Sequence, residues 1–174
     1  MAAITRSTGI VAMALMVLSL LWGFLFSSRA TGKRLRPNWW LDLHIWLGGL
    51  ALIFTIVHIV ASLLDTNSGI GLVEVFVPRL SAADRSITWG VLATYITAAV
   101  VLTTWPKRWK NRRWWRVVHV LSVVGTALAL VHSYQSGSDS TQFAFQVGMV
   151  IAVAVATYGL GLRLSTLRPQ RKPS

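Results

Sequence analysis

The chain has 174 residues, a length typical of a single domain. Apolar residues make up 54% and charged residues only 13%, about half the charged share of a soluble domain, which excludes an ordinary water-soluble fold and a disordered chain. The absence of Cys excludes disulfides, thiolate zinc sites, iron–sulfur clusters and covalently attached c-type haem.

Five stretches are long and apolar enough to cross a hydrocarbon core of about 30 Å, which requires roughly 20 helical residues. In chain order they are Gly9–Ser28, Leu41–Leu64, Ile87–Trp105, Trp114–Tyr134 and Phe143–Leu162. These spans predict an all-α, integral membrane bundle of about five transmembrane helices. The whole chain, 1–174, is then a single membrane domain of a multi-pass protein, which we expect in the cell membrane, specifically a bacterial inner membrane.

Basic residues are distributed unevenly between and beyond these spans. Fourteen of the 17 lie in the 29–40 loop, the 107–116 segment and the tail after the last span, whereas the other side carries only Arg6, Arg79 and Arg85. The positive-inside rule therefore predicts an N-terminus outside and a C-terminus in the cytoplasm, with a basic cytoplasmic tail at 163–174. Because this rule accounts for the net charge of +12, we expect no nucleic-acid partner.

Several tryptophans lie close to the predicted cytoplasmic boundary: Trp39, Trp40, Trp105, Trp109, Trp114 and Trp115. Indole rings favour the zone between lipid headgroups and acyl chains, so an aromatic belt accounts for this cluster. Membrane lipid is accordingly an expected partner of the chain.

All four histidines lie within predicted spans, His44 and His58 in the second and His119 and His132 in the fourth. Ionisable side chains inside a bilayer are costly, so they normally face the bundle interior and have a partner. Separations of 14 and 13 residues correspond to about 21 Å and 19.5 Å along a helix. Both spans run in the same direction, which places His44 level with His119 and His58 level with His132. The sequence therefore predicts two stacked sites, each able to supply two axial imidazoles to a porphyrin iron that passes electrons.

The angle between the two histidines around the helix axis differs between the second and the fourth span. Fourteen residues fall about 40° short of four full turns, so His44 and His58 share a face, whereas thirteen residues fall about 140° short. We therefore expect either a distortion of the fourth span, with Gly125 as the candidate position, or two sites oriented at different angles around that helix.

Around these histidines the sequence resembles the ferric reductase-like transmembrane domain family. That family includes membrane ferric reductases, NADPH oxidases and the haem-bearing membrane subunit of a bacterial methionine sulfoxide reductase system. The matching features are the spacings His44-x13-His58 and His119-x12-His132 and the local stretches 43–49 (LHIWLGG), 71–78 (GLVEVFVP) and 115–122 (WRVVHVLS). The resemblance covers 38–162, which we expect to form the haem-binding core.

The resemblance implies a membrane b-type cytochrome with two haem b groups. The inner haem iron would be held by His44 and His119, and the outer haem iron by His58 and His132. Haem propionates commonly meet basic groups at the membrane edge, which favours Arg116, one turn before His119, as an inner cofactor-binding residue. The remaining basic candidates are Arg112 or Arg113 for the inner haem and Arg79 or Arg85 for the outer haem. Topology-setting charge is the alternative interpretation of the inner group.

Larger members of the family have six membrane helices followed by a flavin- and nicotinamide-binding module. This sequence has five spans and no G-x-G-x-x-G pattern, so we expect no flavin or NAD site in it. The electron donor would be a separate cytoplasmic reductase or a quinol, and the external acceptor ferric iron, oxygen or a partner enzyme. No nucleophile–base–acid or paired-carboxylate pattern is evident, so we expect an electron-transfer subunit of an oxidoreductase without catalytic side chains of its own.

Two alternatives remain open at this stage. One is a quinol-linked cytochrome b, in which electrons enter from the lipid phase. The other is a non-redox transporter in which the four histidines form a proton or metal relay. The outer 65–85 loop is also open to two interpretations, a cap over the outer haem or a plain connector, and we favour the cap.

Overall fold

A computed structural model describes residues 2–28, 37–66, 68–78, 85–104, 112–137 and 139–167. Over these residues the chain is all-helical and has no strand. The helices are α1 (Ala2–Ser28), α2 (Pro37–Leu64), α3 (Leu72–Phe76), α4 (Arg85–Thr104), α5 (Arg112–Ser136) and α6 (Phe143–Leu167). All except α3 are long and apolar enough to cross a membrane, which confirms the predicted all-α membrane bundle. Trp105, the last residue of the third predicted span, lies outside the described residues.

Helix α1 is the central element of the bundle, with α2, α5 and α6 packed against it, while α4 packs mainly on α5. Contacts between Thr5 and His58 and between Ser19 and His44 show that α1 and α2 are antiparallel. The contacts of Ser86 with His132 and of Ile96 with Gly125 likewise show that α4 and α5 are antiparallel. Helices α2 and α5 run in the same direction.

Small side chains allow these helices to approach closely. The core cluster consists of Met16, Ala51, Ala93 and Ala129, one residue from each of α1, α2, α4 and α5. In lipid the apolar solvent does not drive helices together, so close backbone packing takes the place of a large apolar core. Ala51, almost fully buried, lies midway between His44 and His58 along α2, so this cluster separates the two histidine levels.

Large apolar side chains cover the outside of the bundle instead. Prominent examples are Trp46 and Val60 on α2, Val120 on α5 and Val150 on α6, all of them exposed. Such a surface is suited to acyl chains and not to water. The fold therefore corresponds to a multi-pass membrane protein.

Helix α5 continues without a break through Gly125. A Cβ atom at Gly125 would lie 2.8 Å from Cγ2 of Ile96 on α4, so this glycine permits close packing of α4 and α5. Because the helix is uninterrupted there, the phase difference between His119 and His132 leaves their imidazoles pointing in different directions around α5.

Candidate functional site

The four histidines lie in two pairs at different depths of the bundle. The ring centroids of His44 and His119 are 5.7 Å apart, with a 70° angle between the ring planes. Those of His58 and His132 are 6.2 Å apart, with a 75° angle. Two imidazoles that bind one metal through facing nitrogens have centroids about 6 Å apart, since each metal–nitrogen bond is about 2 Å. Both pairs therefore have the spacing required to share a metal.

Backbone carbonyls of neighbouring helices hold both imidazoles of the His58/His132 pair. His58 Nδ1 donates to the Thr5 carbonyl of α1 at 2.8 Å, and His132 Nδ1 donates to the Ser86 carbonyl of α4 at 2.8 Å. A carbonyl can only accept, so Nδ1 carries the proton in both rings, and the lone pair is on Nε2. This arrangement orients a histidine for metal binding through Nε2.

A cavity of about 420 Å³ lies beside the His58/His132 pair. Its volume is within the usual range for cofactor sites, and all six described helices contribute to its wall. The wall is mainly apolar, with the two imidazoles and small polar groups such as Thr55 and Ser62 interspersed. Ser68, Ile70 and Val75 line it from the 65–85 loop, and Tyr95 OH donates to the Phe76 carbonyl at 2.5 Å. The described part of this loop thus contributes to the cavity wall, and a cap over a haem stays a prediction.

Two glycines provide room for the imidazoles of this pair. A Cβ at Gly9 of α1 would lie 2.9 Å from His58 Nδ1, and a Cβ at Gly90 of α4 would lie 2.9 Å from His132 Nδ1 and Cε1. Any larger residue at either position would push on the ring that binds the carbonyl. The sequence analysis did not identify these glycines, because no feature of the sequence indicates which helices become neighbours.

The His44/His119 pair has different surroundings. His44 Nδ1 donates to the Ser19 carbonyl of α1 at 3.0 Å, and Gly23 of α1 lies against the ring, where a Cβ would be 3.1 Å from Cε1. His119 stacks on Trp115, one turn earlier on α5, with ring centroids 4.8 Å apart. Its Nδ1 is buried and has no hydrogen-bond partner in the described part of the chain.

The predicted basic contacts are less clearly defined. Arg116 and Arg85 are both exposed, Arg116 one turn before His119 and Arg85 at the start of α4 beside Ser86. Arg79 lies outside the described residues. Arg6 of α1, which was not a candidate from sequence, lines the cavity and forms an ion pair with Asp139 at 3.2 Å. Within the described residues, no group of three or more His, Cys, Asp or Glu side chains is placed to hold a metal ion.

These features define a multi-pass, all-helical membrane protein in which parallel helices α2 and α5 pair four imidazoles at two depths. A family model, the ferric reductase like transmembrane component, matches residues 8–130, which extend from α1 into α5. The chain belongs to this ferric reductase-like transmembrane family. Comparisons with curated proteins and with solved structures gave no match. Membership supports a membrane electron-transfer component that resides in lipid and works with redox partners.

Proposed function

We propose that the chain is a membrane b-type cytochrome subunit that carries electrons from one side of the membrane to the other. Two haem b groups would be held along the path, one by His44 and His119 and one by His58 and His132. The observation that supports this most directly is the pairing of the four imidazoles, with centroid separations of 5.7 and 6.2 Å.

Two imidazoles at each site are too few to bind a bare metal ion firmly, but they suit an iron that already has ligands from a porphyrin ring. Each pair would supply two imidazole nitrogens to a haem iron, whose other ligands come from the porphyrin. When bound, each haem supplies an iron centre that accepts and releases one electron at a time. The chain orients the imidazoles through the carbonyls of Thr5, Ser19 and Ser86, which also increase the basicity of the ligating nitrogen.

The cavity at the His58/His132 pair fits the body of such a group. It is lined largely by apolar side chains, including Ile10, Met13 and Val91, which keep water away from a planar macrocycle. Polar groups, among them Ser133 and Ser136, also line this cavity and offer hydrogen-bond partners for charged ring substituents. The short helix α3 and its flanking residues cover the same region.

The charge distribution gives the proposed orientation of the chain, and the proposed outward direction of transfer rests on analogy with the family. By the positive-inside rule the His44/His119 pair lies near the cytoplasmic face and the His58/His132 pair near the outer face. Electrons would enter at the His44/His119 end from a separate cytoplasmic reductase or a quinol. They would leave at the His58/His132 end to an external acceptor such as ferric iron, oxygen or a partner enzyme.

Purification of the protein from cells supplied with haem tests this proposal. We expect two haem b groups per chain by pyridine haemochrome assay, and sharp α bands in the reduced-minus-oxidised spectrum. A colourless, folded protein would contradict the proposal and would favour a histidine-lined transporter. A reporter fused to the C-terminus tests the orientation, and an external signal would reverse the donor and acceptor faces.

A further inference from the structure

Three tryptophans form a cluster beside the His44/His119 pair. Trp22 of α1 stacks on Trp40 of α2, with ring centroids 4.2 Å apart and a 23° angle between the planes. Trp39 contacts both rings at 6.2 and 6.0 Å. Trp39 is 54% exposed, as expected for a boundary tryptophan, but Trp40 is only 6% exposed. The aromatic-belt interpretation therefore does not apply to Trp40.

The two stacked rings carry unused hydrogen-bond donors. The Nε1 atoms of Trp22 and Trp40 are buried, and neither has a hydrogen-bond partner within the described residues. A buried N–H group without a partner costs free energy, and in a membrane bundle water does not readily compensate for it. Two such donors on adjacent rings indicate a site for a group that supplies acceptor oxygens.

The position of these donors relates them to the histidines. Trp40 lies one turn before His44 on α2. Trp22 directly precedes Gly23, whose Cβ position would be 3.1 Å from the His44 ring. Both tryptophans therefore lie near His44, on the side away from the core cluster and from the other pair.

We infer that Trp22 and Trp40 form a two-donor site for the propionate carboxylates of the haem held by His44 and His119, an inference that rests on the proposed function. Carboxylate oxygens form charge-assisted hydrogen bonds with N–H donors. A haem carries two such carboxylates on one edge, which suits two donors on rings only 4.2 Å apart. The carbonyls of a quinone lie at opposite ends of its ring and match this arrangement less well. Trp22 and Trp40 act as positioning residues for the cofactor.

The experiment replaces each donor while retaining an aromatic ring. Trp22→Phe and Trp40→Phe remove the buried N–H, and Trp39→Phe is the matched control from the same cluster. Haem transfer from the full chain to apomyoglobin measures retention, and a potentiometric titration of the α bands resolves the two centres. We expect one of the two haems to leave about ten-fold faster in each variant, the change expected for one hydrogen bond to a charged group.

The same haem should also shift to a lower midpoint potential, because a less neutralised carboxylate favours ferric iron. The other haem and the Trp39→Phe protein should match the unmodified protein. Ultraviolet resonance Raman spectra of haem-loaded and haem-free protein should show the indole N–H groups becoming hydrogen-bonded on loading.

Three outcomes would overturn the inference. If the unmodified protein binds two haems but the Trp22→Phe and Trp40→Phe variants behave like Trp39→Phe, the donors do not bind the propionates. If haem retention and midpoint potential are unchanged in the Trp22→Phe and Trp40→Phe variants but reduction by menadiol is lost, the group that accepts hydrogen bonds from these indoles is a quinone. If the unmodified protein binds no haem, the proposed function itself fails, and this inference fails with it.

Discussion

The His58/His132 pair and the His44/His119 pair are surrounded by different groups. At the first pair both Nδ1 atoms donate to carbonyls at 2.8 Å, and a cavity of about 420 Å³ lies beside the rings. At the second pair only His44 is held by a carbonyl, while His119 stacks on Trp115 and its Nδ1 is unpaired among the described residues. Backbone carbonyls thus orient both imidazoles of the first pair, whereas at the second pair a carbonyl orients His44 and stacking on Trp115 orients His119.

This difference has a consequence for electron transfer. A ligand whose Nδ1–H binds a carbonyl becomes a stronger base and stabilises ferric iron, which lowers the midpoint potential. His119 has no such bond among the described residues, so we expect the proposed centre at His44 and His119 to have the higher midpoint potential and to be the easier of the two to reduce. Potentiometric titration of the two haems would show whether the surroundings separate their potentials.

The largest expected effect comes from removing an imidazole. His132→Ala should reduce the haem content by half, because in the proposed arrangement each haem would require one ligand from α2 and one from α5. His58→Ala should give the same loss, and the double variant should lose no more than either single variant. Haem content by pyridine haemochrome, normalised to protein, is the measurement.

Cross-pair variants serve as the control for this prediction. His44→Ala combined with His132→Ala should remove both haems, since these residues belong to different pairs. If His44→Ala and His58→Ala abolished the same centre, the pairing of the rings at 5.7 and 6.2 Å would not reflect shared metals.

A second test enlarges the glycine that contacts His132. In Gly90→Ala the new Cβ would meet Nδ1 and Cε1 of the ring at 2.9 Å, so the ring must move away from the Ser86 carbonyl. Overpacking of this kind costs about 1–3 kcal/mol. We expect most of the haem at this pair to be lost, with a broadened α band from what remains.

Two other glycines provide matched controls for Gly90→Ala. In Gly125→Ala the Cβ would meet Ile96 at 2.8 Å, so this variant should lower thermal stability without selective loss of one haem. At Gly49 no described atom outside the glycine's immediate neighbours and its own helix backbone lies within 4 Å of the Cβ position, so Gly49→Ala should leave both haems unchanged. Equal haem loss in Gly90→Ala and Gly125→Ala would mean that general packing, and not the imidazole contact, is responsible.

Much of the fold is predictable from spacing alone. Apolar runs of sufficient length predict the spans, because a bilayer core requires about 20 helical residues. Helix rise and direction then place His44 level with His119, and the structure brings these two rings together. Whether the rings bind haem stays a prediction.

The neighbours of the histidines are not predictable in the same way. Gly9 and Gly90 matter because α1 and α4 pack against particular rings, and that depends on the rotation of each helix in the bundle. Trp22 lies in the middle of an apolar run, where a tryptophan is expected to face lipid. Its stacking on Trp40 is evident only from the packing of α1 against α2. The sequence places Trp40 with the boundary tryptophans, because the position of a residue along a span indicates its depth in the membrane but not whether its side chain is buried in the bundle.

Enlarging Gly23, which lies against the His44 ring, should cause a smaller loss of haem than Gly90→Ala. In Gly23→Ala the Cβ would lie 3.1 Å from His44 Cε1 and 3.5 Å from Nδ1, farther than in Gly90→Ala. A displacement of a few tenths of an ångström relieves this contact, so we expect partial haem loss confined to the His44/His119 centre. Apomyoglobin transfer rates compared with those of Gly90→Ala check the ranking, and a greater loss from Gly23→Ala would reverse it.

The smallest effect is expected at the ion pair that joins α1 to the residues before α6. Arg6 donates to Asp139 at 3.2 Å, and the Arg6 side chain is half exposed, so water and salt screen the pair. Arg6→Gln should therefore cost about 0.5 kcal/mol, or about 1–2 °C in Tm, and this difference should shrink at high salt.

Arg163→Gln is the matched control at the opposite end of α1, where Arg163 donates to the Ser27 carbonyl at 3.1 Å. Both variants should retain two haems, since the side chains of Arg6 and Arg163 donate to Asp139 and to the Ser27 carbonyl and not to an imidazole. A selective change in the spectrum of one haem in Arg6→Gln, absent in Arg163→Gln, would show that Arg6 also acts on the cavity that it lines. The polar surroundings of the His58/His132 pair would then extend beyond the carbonyls that hold its rings.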